Sequence, residues 1–323
     1  MNKSVIVAVA VVITTLLAGA AGAQQYPTKT VRLIIPGSPG GSVDTIGRMI
    51  AQRLTDALGQ PVLADNRAGA GTMIASELTA KSPPDGHTVL MVSNSHAINA
   101  GLYKTLPYDP VKDFAEVTLA ALLPYLLVVH PSVPAQNVKE LIALARKRPG
   151  DLHFASAGSG SSTHLAGELF KSMAGANMTH VPYKGGAPGV TDLLGGHVQA
   201  MFNSPISVGQ LAKEGRLRTL AISSAKRSAL LPQIPTIAES GLPGYESVAW
   251  YGMLVPARTP AYAITTLNRE VLKILKTNEV RARLATDGGE VIGSTPEEFA
   301  THMRNDIQRW TKLIPAIGLQ PDK

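Results

Sequence analysis

The sequence predicts an α/β fold built in two lobes. Three observations predict it. First, short apolar runs of strand length alternate with small-residue turns and amphipathic stretches of helical spacing, the pattern of a largely parallel sheet covered by helices. Second, a turn made of glycine and serine opens a helix twice, once near the start of the chain at Gly37–Ser42 and once near its middle at Ala157–Thr163. Third, a chain of 323 residues with 45% hydrophobic content can bury two cores more easily than one.

The first unit runs through Ile34-Ile35-Pro36-Gly37-Ser38-Pro39-Gly40-Gly41-Ser42-Val43-Asp44. Val31, Leu33, Ile34 and Ile35 read as a buried strand. Ile46, Met49, Ile50, Arg53, Leu54, Ala57 and Leu58 recur at helical spacing, and Gly59 closes that helix. Ser42 is the expected N-cap, and Asp44 in the first turn suits the helix dipole. Bare backbone N–H groups at such a helix start bind anions, which makes Gly37, Ser38, Pro39, Gly40, Gly41, Ser42 and Asp44 candidate ligand contacts. The same residues also describe an ordinary strand-to-helix turn.

The pattern then repeats. Pro61–Ala64 is a strand, and Asp65 to Thr72 is a second glycine-rich turn that brings Ala70 and Gly71. The helix behind it carries Ile74, Leu78 and Ala80. Thr88–Val92 is a buried strand ending in the polar cluster Ser93-Asn94-Ser95-His96. Ligands of such sheets lie beyond the carboxyl ends of the strands, so the ends at Pro36, Ala64 and Val92 bring small and polar residues, Ser93 and Asn94 among them, to one rim.

In the second half, Asn137 and Glu140 read as a capping box ahead of Val138, Leu141, Ile142 and Ala145, with Pro149-Gly150 as the stop. His153–Ser156 is a strand, and Gly158 to Thr163 opens a helix with Leu165, Ala166, Leu169, Phe170 and Met173. Ser156, Gly158, Ser161, Ser162 and Thr163 are the candidates here. Val198–Phe202 is a strand that delivers Asn203, and Arg216–Ile222 and Trp250–Val255 are further strands. Thr295-Pro296-Glu297-Glu298 starts a last helix whose buried face is Phe299, Met303, Ile307, Trp310 and Ile314.

Lys3, the apolar run Val5–Ala18 and Ala21-Gly22-Ala23 have the form of a secretory signal peptide over residues 1–23. The run is too short to span a bilayer comfortably. The chain has no cysteine, so an exported form relies on its core rather than on disulfides. The net charge of +7 is scattered, and aromatics are only 5%, which does not describe a nucleic-acid surface. A mild positive field suits small anions.

Enzyme signatures are missing. No G-x-S-x-G elbow and no G-x-x-x-x-G-K-[ST] loop occurs. His164 and Glu168 stand four apart without the H-E-x-x-H pattern and read as a local helix pair. His87, His96, His130, His180 and His197 are scattered, while Tyr183 and Lys184 either line the cleft or are packed and exposed respectively. No catalytic residue, metal or cofactor is assigned.

Six motifs in order, Pro39-Gly40-Gly41-Ser42-Val43-Asp44, Asn66-Arg67-Ala68-Gly69-Ala70-Gly71, Pro83-Pro84-Asp85-Gly86, His164 to Phe170, Val181 to Gly186 and Leu193 to His197, carry a resemblance. The chain from Tyr26 onward resembles the periplasmic solute-binding receptors of tripartite tricarboxylate transporters, the Bug family. The resemblance implies a type II-like two-lobed binding protein with a mostly parallel sheet in each lobe and two crossings, near Leu123–Val129 and Trp250–Val255. Residues 24–126 and 249–323 would form lobe one, and 127–248 lobe two. It also implies a small organic carboxylate as ligand, a membrane permease as partner, a periplasmic location, and a monomer that binds no nucleic acid. Two residues depart from the family pattern. Gly37 stands where a bulky aromatic is usual, which implies a roomier pocket. Asn203 stands where an acid is frequent, which argues against an amino-acid ligand. A ligand-sensing partner of a membrane sensor kinase and a secreted serine hydrolase are the alternative readings.

Overall fold

The computed structural model describes residues 26–228, 231–286 and 289–319. The signal peptide read at residues 1–23 lies outside the described residues. In chain order the first elements are β1 (Val31–Ile35), α1 (Ser42–Leu58), β2 (Val62–Asn66), α2 (Met73–Ala80), β3 (Thr88–Ser93), α3 (Ser95–Leu102) and β4 (Phe114–Pro124). There follow β5 (Leu126–Val129), α4 (Val138–Lys147), β6 (His153–Ser156), α5 (Ser162–Ala174), β7 (Thr179–Pro182), α6 (Gly186–Leu194), β8 (Ala200–Asn203), α7 (Pro205–Lys213) and β9 (Arg218–Ile222). The chain closes with β10 (Val248–Pro256), α8 (Ala261–Leu275), α9 (Asn278–Thr286), β11 (Glu290–Val291) and α10 (Pro296–Ala316).

These elements make two sheets, one per lobe. The first has the order β11-β4-β10-β3-β1-β2, and the second β7-β6-β8-β5-β9. Apolar faces bury as the periodicity predicts: Ile46, Ile50 and Leu54 of α1 are buried, and so are Phe299, Met303, Trp310 and Ile314 of α10. Thr295 and Glu298 form the capping box of α10. At α4, Asn137 accepts from Glu140 N, but Glu140 answers to Gln136 N at 2.7 Å, one residue ahead of the cap.

The pairing is mixed rather than mostly parallel. The βα units give parallel pairs, β1 with β2 and β3, and β6 with β7 and β8. The strands that carry the chain between lobes are antiparallel: β10 to β3 and β4, and β5 to β8 and β9. A strand entering from the other lobe runs against the strands that begin βα units, and tight antiparallel ladders need no crossover helix.

The chain leaves the first sheet at Tyr125, between β4 and β5, and returns at Ser247, just before β10. The return lies ahead of Trp250–Val255, which sits wholly inside β10. Trp250 is drawn into the lobe-one core, edge-on to Phe299 with its Nε1 donating to Asp306 at 2.7 Å. One buried residue joins both passages. Ser223 N donates to Tyr125 O at 2.9 Å, and Tyr125 N donates to Ser223 Oγ at 2.7 Å. Ser247 N donates to Ser223 O at 2.9 Å, and Ser223 Oγ donates to Ser247 O.

Helix α3 begins within the polar cluster that the sequence shows after β3, and its polar first turn hides the helical period. His96 is fully buried there, with Nε2 3.0 Å from Pro110 O and Nδ1 3.2 Å from Ser76 Oγ. A carbonyl only accepts, so Nε2 carries the proton and Nδ1 accepts from the serine. Burial pushes the His96 pKa down to about 4. A histidine held below its ordinary value stabilises the fold fully above about pH 6.5, and that contribution is lost as pH falls toward the folded value. Urea unfolding is expected to lose about 2 kcal/mol from this residue between about pH 7 and pH 4.5, with a shallower limb in His96→Gln. Equal pH dependence in the two proteins would contradict the assignment.

Candidate functional site

The two small-residue turns face each other across the gap between lobes. In lobe one, Gly41 rather than Ser42 takes the N-cap backbone of α1, and no side chain caps that helix. Ser42 is the first helical residue, and its hydroxyl instead meets Ser207 Oγ across the gap at 3.2 Å. Asp44 turns away from the gap. It accepts from Gly40 N (2.9 Å), Arg48 Nε (2.8 Å) and Asn66 Nδ2 (2.8 Å), and so holds the turn from behind.

In lobe two, Ser161 caps α5 by accepting from His164 N at 3.2 Å, and Thr163 Oγ1 accepts from Ala157 N at 2.9 Å. Ser162 N donates across the gap to Ser95 Oγ at 3.1 Å. Beneath the turn, His164 and His180 stack with centroids 3.8 Å apart. His180 Nε2 lies 2.6 Å from Ser156 Oγ. Glu168 pairs with Lys171 at 2.7 Å and stands 3.8 Å from His164. These groups support the turn, and among the described residues no His/Cys/Asp/Glu cluster could hold a metal ion.

The lobes are closed upon each other. A Cβ at Gly71 would run into Ser159 O of the opposite turn, and a Cβ at Gly185 would come within 2.8 Å of Ser38 N. Both glycines have positive φ, 56° and 111°, so glycine serves there for conformation and for contact alike.

Between the turns lies a chamber of about 70 Å³. Of the residues singled out from sequence, Gly37, Ser38, Gly41, Ser42, Ser93, Ser161, Ser162, Thr163 and Asn203 line it. Pro39, Gly40, Asp44, Asn94 and Ser156 do not. Ala70, Gly71 and Gly158 instead border a separate hollow of about 220 Å³ with Tyr183 and Lys184. Thr72, Ser95, Tyr125, Gly185, Gly186 and Tyr251 also line the chamber, and sequence reasoning missed them. Tyr125 and Tyr251 lie within apolar runs, which do not distinguish a core aromatic from a site one. Tyr125 stands at the passage out of lobe one, and Tyr251 stands inside β10, paired with Ser93 at the end of β3.

The roomier pocket expected from Gly37 is not what the closed chamber shows. The Val43 side chain fills that space, only 2.7 Å from where a Gly37 Cβ would stand.

The lining is rich in hydroxyl-bearing residues set among small apolar ones, and its described residues are uncharged. Hydroxyls of Ser38, Ser42, Thr72, Ser93, Ser95, Ser161, Ser162 and Thr163 surround the space, and no Lys, Arg, His, Asp or Glu is among the described lining residues. Asn203 Oδ1 accepts from Ser204 N at 2.8 Å, and its Nδ2, beside Gly186, donates to Met201 Sδ at 3.6 Å and has its second N–H to offer. Ser38 Oγ is buried with no hydrogen-bond partner, and Tyr125 OH is buried with only loosely placed neighbours, Ser162 and Asn94, beside it. A buried orphan hydroxyl costs about 1–3 kcal/mol, so such groups mark a place where a ligand completes the bonding. Burial raises the pKa of Tyr125 and pushes that of Tyr251 to about 12. Both phenols are therefore neutral donors. A space ringed by neutral donors at two helix starts can replace the hydration of an anion.

Residues 46–319 match the family described as the tripartite tricarboxylate transporter family receptor. The chain is 37% identical over 304 residues to Protein BugT of Bordetella pertussis, covering 94% of this chain and 93% of that protein. It is similar to the structure of R. palustris Rpa4515 with adipate, at 38% identity and a TM-score of 0.89, covering 92% of this chain and 100% of that one. It is also similar to MatC (Rpa3494) from Rhodopseudomonas palustris with bound malate, at 30% identity and a TM-score of 0.86, covering 90% and 100%. The match over most of the chain and the shared two-lobed architecture place it: the chain belongs to the tripartite tricarboxylate transporter receptor family, the family of the Bug proteins.

Proposed function

We propose that this protein is a periplasmic receptor that traps a small organic carboxylate between its lobes and presents it to a membrane permease of the tripartite tricarboxylate type. The observation that carries the reading is the chamber itself, enclosed by both lobes and lined by neutral donors. Similar proteins bound to adipate and malate support the ligand class. One carboxylate meets the lobe-one turn, with Ser38, Gly41 and Ser42, and closure adds Ser161, Ser162, Thr163 and Asn203 from lobe two. The lobes proposed are 24–126 with 249–323, and 127–248, hinged where Ser223 joins the two passages. Receptor, not enzyme, is the proposed role, acting as an exported monomer with no cofactor, and the residues 1–23 serve as its signal.

A thermal-shift screen of residues 24–323 against mono-, di- and tricarboxylates, aromatic acids and amino acids tests this. Ligand at about 100 times its Kd adds about 2.7 kcal/mol, a rise of a few degrees. A selective rise with one class of carboxylate is expected. No shift with any acid, in protein unfolded and refolded to strip bound ligand, would contradict the reading. Because no Lys, Arg, His, Asp or Glu is among the described lining residues, the affinity for the fully ionised acid is expected to stay flat from about pH 7 to about pH 9. A change of more than about tenfold over that range would mean that an ionisable side chain touches the ligand.

A further inference from the structure

The chamber is not the only hollow bounded by both lobes. A groove of about 540 Å³ lies on the hinge side, and no part of the proposed function uses it. Its floor is apolar, made by Leu126, Ile206, Leu217, Leu231 and Ile234. Its size and its mix of apolar wall and few polar groups are those of a small-molecule site.

Its described charged lining residues are basic. Lys213, Arg218 and Arg283 line it, and no Asp or Glu is among the described lining residues. Arg218 is held in place by carbonyls only: Nη1 donates to Val133 O at 2.9 Å and Ala135 O at 3.2 Å, and Nη2 donates to Pro131 O at 3.2 Å. Those acceptors orient the guanidinium without neutralising it. Lys213, at the end of α7, is exposed.

The groove also straddles the lobes. Most of it belongs to α7, β9 and the loop after β9, whereas Arg283 and Thr286 reach in from α9, which follows the return passage. Tyr125 lines the chamber, and Leu126, the next residue, lines the groove. An occupant of the groove therefore touches both lobes and the strand that joins them.

We propose that this groove is a second, hinge-side binding site for an organic anion with an apolar body. The apolar floor takes the body, and Lys213 and Arg218 take the charge. Because both lobes contribute, its width depends on the angle between them. Two sites that bias one hinge are thermodynamically coupled, each changing the affinity of the other by the same factor.

The test is a fluorescence titration of residues 24–323 with anilinonaphthalene sulfonate, an amphipathic anion. One saturating site is expected. Gly209→Phe fills the groove, and its Cβ meets only Pro205 Cβ at 3.8 Å, an ordinary contact, so the helix accommodates it. That variant is expected to weaken dye binding by about tenfold or more, and Lys213→Glu with Arg283→Glu by about fivefold or more. If Gly209→Phe does not fold, Gly209→Leu and the charge pair carry the test. The uncharged dye lacking the sulfonate is expected to bind at least about tenfold more weakly. Dye affinity is expected to change severalfold in Gly71→Ala, whose lobes are held apart. Unsaturable binding, equal binding of the uncharged dye, indifference to every groove variant, loss of binding in Asn203→Asp instead, or a dimer that Gly209→Phe abolishes would each overturn the proposal. None of these outcomes depends on which acid the chamber takes.

Discussion

Gly71→Ala is expected to lower ligand affinity by at least about 100-fold while both lobes stay folded. The backbone at Gly71 has φ +56°, a left-handed conformation that alanine tolerates at about 1–2 kcal/mol. The new methyl would strike Ser159 O, a backbone atom of the opposite lobe. That turn cannot yield, because Ser161 N donates to Gly158 O at 3.0 Å and Ser161 caps α5. The lobes must part instead. A charged ligand then keeps only one set of donors, and each hydrogen bond to a charged group is worth about 1.5–3 kcal/mol, so losing two removes about 3 kcal/mol or more. Calorimetry reads the affinity, and small-angle scattering reads whether ligand still compacts the protein. Gly40→Ala is the control, with φ +79° but no atom within 4 Å of the new Cβ. Binding within about threefold of the natural protein in Gly71→Ala would mean that the closed contact is not needed for capture.

Asn203→Asp is expected to abolish carboxylate binding near neutral pH, again by about 100-fold or more. Asn203 is 3% exposed, and its Oδ1 bond to Ser204 N can be kept by an aspartate. The other oxygen would then face the ligand where an amide donor stood. Two carboxylates in a closed, uncharged chamber cannot both ionise without a counterion, so the pKa of the new aspartate rises. Binding should therefore recover as pH falls and that group takes a proton, the opposite of the flat profile expected of the natural protein. The same variant gives an amino group a partner, so aspartate or glutamate should gain affinity while diacids lose it. Unchanged diacid binding in Asn203→Asp would place the ligand away from β8.

Much of this arrangement is legible in the sequence, for physical reasons that differ from element to element. The α1 unit is plain because its stripe of Ile46, Ile50 and Leu54 must be buried and Gly59 must end it, closing in left-handed backbone at φ 65°. The capping residue is less plain. Ser42 and Gly41 both suit the position, and only the backbone shows that glycine takes it, which frees the Ser42 hydroxyl for the gap. Asp44 has the right chemistry for a ligand-facing turn, yet Arg48 claims it from one turn along the helix, a pairing readable in the sequence, and Asn66 claims it from 22 residues away, which is not. The antiparallel ladders of β10 and β5 were hidden because a continuous apolar run looks the same in either pairing. Tyr125, Tyr251 and Gly185 could not be found from spacing, since they reach the chamber through lobe closure. The hinge-side groove joins α7 to α9, far apart in sequence, and no single segment announces it.

The most direct test of the central claim is a calorimetric titration of refolded, ligand-free residues 24–323 with malate, adipate and aspartate in parallel. The account predicts saturable one-to-one binding of at least one of the two diacids and at least about tenfold weaker binding of aspartate, because the chamber offers neutral donors and no counterion for an amine. Tighter binding of aspartate than of either diacid, or no heat from any of the three, would contradict it.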